Sequence, residues 1–368
     1  MSELSRGALA VEDCGVWSGG RGSSRRRMGG VAMTLRSVPC APNSRDVPAD
    51  GRESRGTRRL LWRCIDGGRM GSREYSVRII ADGFHFLEGP RWHRDKLYFS
   101  DFAAGTVFVL QLNGLVEAVC QTPNWVSGLG FTPDDELLMV AVQERKLLRR
   151  SGAEGLVEVA DLSGVARFHC NDMLVDACGR AYIGNFGFDM SLDEICPTDL
   201  AMVSPRGEVS VVAEDLIFPN GMARTADGNT LIVAETFAAR LTAFDILADG
   251  TLAGRRTWAA LGDRSFSTVS DSLGSGAHLP DGIALDAEGA LWIGDAGGRA
   301  ALRVAPGGAI LDRVPTPELS VFAVALGGPD LKTLFMCASP PLYSHDPSFE
   351  RRAVLLATQV NVPGVPLL

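Results

Sequence analysis

The sequence lacks several features that would place it in a common class of protein. No apolar run approaches the roughly 18 residues that a membrane span requires. Its 8 cysteines form no C-x-x-C pair and follow no regular spacing, so neither a zinc cluster nor a disulfide framework is indicated. It also contains no G-x-S-x-G nucleophile elbow, no P-loop and no dinucleotide fingerprint. We therefore expect a soluble protein with reduced thiols, located in the cytoplasm.

The net charge of −8 is divided unevenly along the chain. Residues 1–70 hold 13 Arg, no Lys and 7 acidic residues, a net charge of +6, which leaves −14 for the remainder. Nucleic-acid binding requires clustered Lys and Arg, so the acidic remainder argues against it and instead suits a site that attracts cations. The expected partner is a small-molecule substrate, with no nucleic acid and no membrane. The expected state is a monomer or a small homo-oligomer.

Residues 1–75 differ in composition from everything that follows. They are rich in Arg, Gly and Ser, as in the run Arg25 to Arg27, and show neither strand alternation nor helical periodicity. Such a segment is predicted to be disordered, because it buries too little apolar surface to offset the entropy of ordering. It lacks the apolar stretch of a secretory signal, so the alternatives are an organellar transit peptide or an over-extended gene assignment before Met70. The folded domain is predicted to span residues 76–368.

From residue 87 onward one pattern recurs six times, consisting of an apolar strand, a tight turn and a second apolar strand. The turns carry Pro-Asp, Asp-Gly and Gly-Pro-Asp, which suit tight hairpins. The second residues of successive copies are separated by 39, 44, 49, 61 and 41 positions, and a four-stranded propeller blade takes about 40–50 residues. We therefore predict an all-β protein, a six-bladed β-propeller rather than a β-sandwich, which does not repeat at this period. The predicted inner hairpins cover residues 87–101, 126–142, 170–184, 219–234, 280–294 and 321–336.

Two further segments complete this prediction. Outer strands are expected at residues 106–110 and 240–245, which are apolar and bounded by turn residues. The longest separation contains a Ser- and Gly-rich stretch, Ser265 to Gly276, which is predicted to be a loop over the pocket.

The residue at the second position of each repeat is predicted to face a common axis, because the innermost strand of every blade lines the central channel. Two of these six side chains are carboxylates, which repel each other in a narrow channel unless a cation compensates them. An all-oxygen set favours a hard divalent cation, Ca²⁺ first, with Mg²⁺, Mn²⁺ or Zn²⁺ as alternatives. The competing interpretation is that these residues cap strands at the channel mouth. We call them the leading residues: Glu88, Ser127, Asn171, Asn220, Asp281 and Phe322.

Four short motifs resemble one known family in their order and spacing. They are L-E-G-P at 87–90, C-N-D at 170–172, P-N-G at 219–221 and P-D-G at 280–282. They resemble the senescence-marker-protein-30, gluconolactonase and luciferin-regenerating-enzyme group, which are calcium-dependent six-bladed propeller lactonases. The resemblance covers about residues 82–345.

The resemblance implies a role for each matching residue. Glu88, Asn220 and Asp281 match the metal ligands of the family, and Asn171 matches a residue that contacts substrate. Asp281 also matches the carboxylate that acts as general base. The sequence departs from the sugar-lactone members at His169, where those members carry an Arg that grips sugar hydroxyls.

Aromatic residues near the predicted pocket indicate a partly apolar substrate. Trp125 precedes the second inner hairpin, Phe186 follows the third, and Phe322 is itself a leading residue. The alternative is that Trp125 and Phe186 pack between blades and never meet a ligand. With His169 and Asn171, these residues form the predicted substrate-binding set.

The sequence thus predicts a metal-dependent hydrolase of a lactone or related ester. The cation would polarise the carbonyl group, and Asp281 would activate water. Three alternatives remain open on the same scaffold. They are hydrolysis of another ester class such as an organophosphate, another metal-dependent reaction such as isomerisation or hydration, and a non-catalytic calcium-binding propeller.

Overall fold

The computed structural model describes residues 74–152, 155–262, 266–341 and 350–366. The disordered extension predicted for residues 1–75 lies outside this part of the chain except for its last two residues. Within the described ranges, no helix is long and apolar enough to cross a membrane.

The described residues form 24 strands in six four-stranded antiparallel sheets. Blade one contains β2 (Leu87–His93), β3 (Lys96–Asp101), β4 (Thr106–Gln111) and β5 (Val116–Gln121). Blade two contains β6 (Val126–Phe131), β7 (Leu137–Ala141), β8 (Lys146–Ser151) and β9 (Gly155–Asp161). Blade three contains β10 (Cys170–Val175), β11 (Ala181–Asn185), β12 (Thr198–Val203) and β13 (Val209–Leu216). Blade four contains β14 (Pro219–Arg224), β15 (Thr230–Glu235), β16 (Arg240–Ile246) and β17 (Leu252–Ala260). Blade five contains β18 (Pro280–Leu285), β19 (Leu291–Asp295), β20 (Ala300–Val304) and β21 (Ile310–Pro315).

Blade six joins the two ends of the domain. It contains β22 (Ser320–Gly327), β23 (Thr333–Ser339) and β24 (Ala353–Gln359), and its outermost strand is β1 (Arg78–Phe84) from the beginning of the domain. The first strand therefore closes the ring by pairing antiparallel with the last one. The six-bladed propeller predicted from the repeats is confirmed, and the predicted outer strands coincide with β4 and β16.

The stretch predicted as a loop over the pocket contains a helix instead. The helix α1 (Val269–Gly274) follows Thr268, whose side-chain hydroxyl accepts a hydrogen bond from the backbone N–H of Asp271. Such an N-cap satisfies one of the free backbone donors of the first turn. Six residues are too few to show helical periodicity, which explains why the sequence pattern missed it. Three-residue 3₁₀ turns also occur at Met190–Leu192 and Thr236–Ala238.

The hydrophobic core lies between neighbouring blades. Between blades four and five, for example, Ile232 and Leu241 pack with Ile293 and Leu302, and all four are fully buried. Burying an aliphatic side chain of this size contributes about 1.5–3 kcal/mol. Each sheet is therefore held by the faces of its two neighbours, and the ring positions its innermost strands around one axis.

The innermost strands approach one another so closely that glycine is required between them. A Cβ atom added to Gly221 would lie 2.6 Å from Cα of Gly282 in the next blade, and one added to Gly282 would lie 2.6 Å from Cα of Ala323. A Cβ at Gly128 would lie 2.5 Å from the backbone nitrogen of Met173. The Gly that follows several leading residues is therefore a consequence of ring packing.

Every inner hairpin also carries a register irregularity at its leading residue. Pairing shifts between Glu88 and Arg91 in blade one, and equivalent shifts occur at the same place in the other five blades. A β-bulge bends the strand and changes the direction of a side chain. Each leading residue is thus held at a bulge on a strand that packs tightly against its neighbours.

Gly221→Ala is expected to destabilise the protein, because the added methyl group would overlap the backbone of blade five. Overpacking of this kind costs about 1–3 kcal/mol. Gly164→Ala is the matched control, since a Cβ there meets no atom within 4 Å. Urea denaturation compares the two variants with the wild type, and equal midpoints for both variants would contradict the close approach.

Candidate active site

A cavity of about 260 Å³ lies at the end of the channel where the innermost strands begin. The polar leading residues Glu88, Asn171, Asn220 and Asp281 line it, and the apolar leading residue Phe322 lines it as well. The structure therefore brings together five of the six leading residues. Ser127 is fully buried at its equivalent position but is not part of the cavity wall.

The polar leading residues are buried, yet several of their atoms lack a hydrogen-bond partner. Exposed fractions are 6% for Glu88, 4% for Asn171, 4% for Asn220 and 5% for Asp281. Oδ1 of Asn220, Oδ1 of Asp281 and Nδ2 of Asn171 make no hydrogen bond, and neither does Oγ of Ser127. Buried polar atoms are normally paired, so each orphan needs a physical reason. Two free oxygens in one cavity are the ligands that a hard cation binds.

The electrostatics of the cavity favour a cation. Burial raises the pKa of Glu88 well above its ordinary value, and the carboxylates of Asp281 and Asp172 raise it further. Burial and Asp172 likewise raise the pKa of Asp281, partly offset by a hydrogen bond from Asn220. A backbone hydrogen bond at Gly89 and the Arg91 guanidinium offset part of the rise in the pKa of Glu88, and Nη2 of Arg91 itself lies 2.7 Å from Oδ1 of Asp172. Glu88 and Asp281 are thus two buried acids for which a divalent cation would supply the missing charge.

The donor set also limits the kind of metal that fits. Among the residues that the structure describes, no three His, Cys, Asp or Glu side chains are grouped so as to hold a metal ion. A cation at this cavity would therefore need an amide oxygen besides the two carboxylates. That requirement suits Ca²⁺ or Mg²⁺ better than a metal that prefers thiolate or imidazole.

Thr236 sets the orientation of the Asn220 amide. Its hydroxyl donates its only hydrogen to the backbone oxygen of Pro280 at 2.9 Å. The same hydroxyl can then only accept from Asn220, whose Nδ2 lies 3.3 Å away. Since the amide nitrogen faces Thr236, the carbonyl oxygen of Asn220 is the atom left free. Thr236 itself lines the cavity and follows the end of β15.

Three buried carboxylates that the sequence analysis missed hold the segments leading into the cavity. Each of these residues pairs in register with the first residue of an innermost strand. Each also accepts a hydrogen bond from the backbone N–H of a residue just before that innermost strand. Asp101 accepts from Phe86 at 3.1 Å, and Asp295 accepts from Leu279 at 3.0 Å. Glu235 accepts from Ile217 at 2.8 Å. An acid recurring 13 to 15 residues after a leading residue, at 101, 235 and 295, is the signal that would have found them.

Two of these carboxylates, Asp295 and Glu235, are paired with basic side chains, whereas Asp281 keeps an unpaired Oδ1. Nδ1 of His278 lies 2.6 Å from Oδ2 of Asp295, and Nη2 of Arg240 lies 2.6 Å from Oε2 of Glu235. Their role is structural, since they fix the backbone that carries the cavity walls. The described carboxylates thus form two groups: hydrogen-bonded acids that surround the cavity, and acids that line it.

The aromatic residues of the predicted substrate-binding set lie together. Trp125, Phe186 and Phe322 all line the cavity. His169 does not line it but packs behind the wall, with ring centroids 5.5 Å from Trp125 and 5.7 Å from Phe186. Burial lowers the pKa of His169 and so favours the neutral imidazole. Its proposed contact with substrate stays a prediction.

A second cavity of about 180 Å³ lies at the opposite end of the channel, where the innermost strands end. It contains none of the leading residues. Its Arg91 is bound to Asp172, as described above. The orphaned polar atoms of Asn220 and Asp281 therefore single out the first cavity.

The protein is therefore a six-bladed β-propeller, and buried carboxylate and amide side chains line a cavity at one end of its axis. The chain belongs to the SMP-30/Gluconolactonase/LRE-like family, which matches residues 86–339. It is 27% identical to a 6-deoxy-6-sulfogluconolactonase from Pseudomonas putida over 281 residues, which cover 75% of this chain and 92% of that protein. It is 27% identical to a pentonolactonase from Haloferax volcanii over 268 residues, covering 71% and 84%. A solved luciferin-regenerating enzyme superimposes with a TM-score of 0.64 at 19% identity, covering 79% and 99%.

Asp281→Asn is expected to raise the melting temperature of the metal-free protein at pH 7. The pKa of Asp281 is raised in the folded protein, so its ionisation opposes folding as the pH rises through that pKa. The difference from the wild type should shrink as the pH falls below the raised pKa. Differential scanning fluorimetry in chelator measures it, and the exposed Asp134→Asn is the control.

With millimolar Ca²⁺ the wild type is expected to have a higher melting temperature than Asp281→Asn. A cation that binds only the folded wild type stabilises it by about 2.7 kcal/mol at a hundredfold excess over its Kd, and Asp281→Asn should lose that gain. An equal rise in melting temperature for both proteins would rule out Asp281 as a ligand.

Thr236→Val is expected to weaken cation binding by about 10- to 100-fold, the usual effect of removing a group that orients a ligand. Thr236→Ser keeps the hydroxyl and should retain most of the affinity. Isothermal titration of Ca²⁺ into the chelator-treated proteins measures both. Wild-type affinity in a folded Thr236→Val protein would show that Thr236 does not orient Asn220.

Proposed function

We propose that this protein is a metal-dependent hydrolase of lactones. The observation that carries the proposal is the pair of orphaned oxygens, Oδ1 of Asn220 and Oδ1 of Asp281, in one buried cavity beside Glu88. Family membership supports it, as do the names of the relatives from Pseudomonas putida and Haloferax volcanii, both lactonases. Those relatives match over more than four fifths of their own length.

Glu88, Asn220 and Asp281 would hold one divalent cation. Two carboxylates and one amide oxygen favour Ca²⁺, and Mg²⁺ or Mn²⁺ fit the same donors less closely. When bound, such a cation polarises a carbonyl group and stabilises negative charge on its oxygen.

The chain's own side chains would perform the rest of the reaction. Asp281 takes a proton from the water that adds to the lactone carbonyl carbon. The ring C–O bond then breaks, the ring oxygen takes the proton held by Asp281, and the product is the hydroxy acid, so one water is consumed for each ring opened. Asn171, which is buried with an unpaired Nδ2, would donate a hydrogen bond to the substrate.

Asp281→Ala and Glu88→Ala are expected to lower lactone hydrolysis by about 10²- to 10⁴-fold, the range for losing a positioned proton acceptor or its cation. Far-UV circular dichroism should be unchanged. A pH-indicator assay on aliphatic, aromatic and sugar lactones, with and without EDTA, measures the effect. The exposed Asp134→Ala should retain wild-type rates. Full activity after exhaustive chelation would refute the proposal.

A further inference from the structure

We infer that the substrate is a lactone bearing an apolar substituent, aromatic or branched, rather than a polyhydroxylated sugar lactone. The inference rests on the proposed function and adds the substrate class to it. It departs from the sugar lactones named for the relatives.

Most of the described side chains that line the cavity are apolar. Among the described lining residues, the polar side chains are those proposed to hold the cation, with Asn171 and Thr236. None of the described lining residues is Arg, Lys, His or Gln. The apolar and aromatic side chains are Phe86, Phe102, Ala103, Trp125, Phe186, Met190, Phe218, Phe237, Leu273, Leu279, Ala296, Phe322 and Pro341.

A sugar lactone would leave hydroxyl groups without partners in this cavity. The hydroxyl of Thr236 is already donating to Pro280, and Asn220 donates to Thr236. Among the described lining side chains, few donors or acceptors therefore remain beyond Asn171, the indole N–H of Trp125 and the proposed ligands. Each buried hydroxyl that finds no partner lowers affinity by about tenfold. An apolar substituent carries no such penalty and gains from leaving water.

The aromatic side chains form two packed walls. In the first, the Phe86 ring lies 4.7 Å from Phe322 by centroid, and Phe102 lies 5.1 Å from Trp125. These residues belong to blades six, one and two or the loops beside them. Rings that pack against each other hold their positions, so the wall is a preformed apolar surface.

The second wall belongs to blades three and four. There the Phe218 ring lies 4.6 Å from Phe186 and 4.8 Å from Phe237. Blades three and four are adjacent in the ring, and they follow the blades of the first wall. A substituent placed between the two walls would meet aromatic surface on both sides.

A two-part cover completes the enclosure. One part follows β11 and contributes Met190, and the other contains α1 and contributes Leu273. The two parts are joined, since the backbone N–H of Ile195 donates to Ser267 O at 3.1 Å. The backbone N–H of Ser270 also donates to Oδ1 of Asp193 at 2.7 Å. The cover is thus a built apolar surface.

The size of the cavity fits a small ligand. About 260 Å³ lies just below the range of about 300–1,000 Å³ that is usual for small-molecule sites. A lactone ring with one phenyl group or a fused ring is of suitable size. γ-Phenyl-γ-butyrolactone and dihydrocoumarin represent this class.

The test compares kcat/KM on γ-phenyl-γ-butyrolactone and dihydrocoumarin with that on glucono-δ-lactone, using the full chain loaded with Ca²⁺. The apolar lactones are expected to be preferred by at least about 100-fold, the loss for two unpaired hydroxyls. Phe186→Ala should reduce this ratio by about tenfold. Phe168→Ala is the matched control, because Phe168 contacts Phe186 but does not line the cavity, and it should leave the ratio unchanged.

Calorimetric binding of the ring-opened products separates the two proposals. Preferred binding of 4-hydroxy-4-phenylbutyrate over gluconate, with no lactone hydrolysed, would overturn the proposed hydrolase and support the apolar site. Hydrolysis of glucono-δ-lactone at an equal or greater kcat/KM would overturn the apolar substrate class and support the hydrolase. Neither hydrolysis nor binding of either compound would overturn both.

Discussion

The close approach of the six innermost strands is the constraint from which the site follows. A side chain larger than hydrogen cannot stand at Gly221 or Gly282, because the backbone of the next blade occupies the space. Each strand also bulges at its leading residue. A bulge redirects a side chain, and a closed ring repeats that direction around one axis. Polar residues at this position are therefore gathered and buried together, whatever the sequence of the outer strands.

Burial then divides the acids into two kinds. Asp295 and Glu235 are fully buried, but backbone N–H groups, His278 and Arg240 satisfy them. Asp281 is also buried and keeps an unpaired oxygen, and burial together with the Asp172 carboxylate raises its pKa. The first kind stabilises the backbone around the cavity. The second kind of acid destabilises the folded protein unless a cation binds beside it, which is the arrangement expected of a cation site.

The fold and the leading residues were predictable from local patterns. A β-hairpin is recognisable within about fifteen residues, from its turn residues and from the apolar strands on either side. Equivalent positions in six hairpins then share an axis by symmetry. Thr236 was not predictable, since its role depends on Asn220 and Pro280 meeting across two blades. The helix α1 was not predicted, because six residues are too few to show a helical pattern of apolar side chains. His169 was predicted to bind substrate, and only three-dimensional packing shows that its ring lies against Trp125 and Phe186 without lining the cavity.

The candidate ligands lie on strands and most of the aromatic wall lies on loops, which explains how such a site can change its substrate. The candidate ligands sit on innermost strands, where ring packing leaves little freedom to vary. Apart from Phe322 on β22, most aromatic wall residues lie in connecting segments, as Phe218 does before β14 and Phe237 does after β15. Loops tolerate substitution better than the elements that they connect. On the proposed mechanism, the ligands on the innermost strands would be kept while the apolar surface around them selects a different ring substituent.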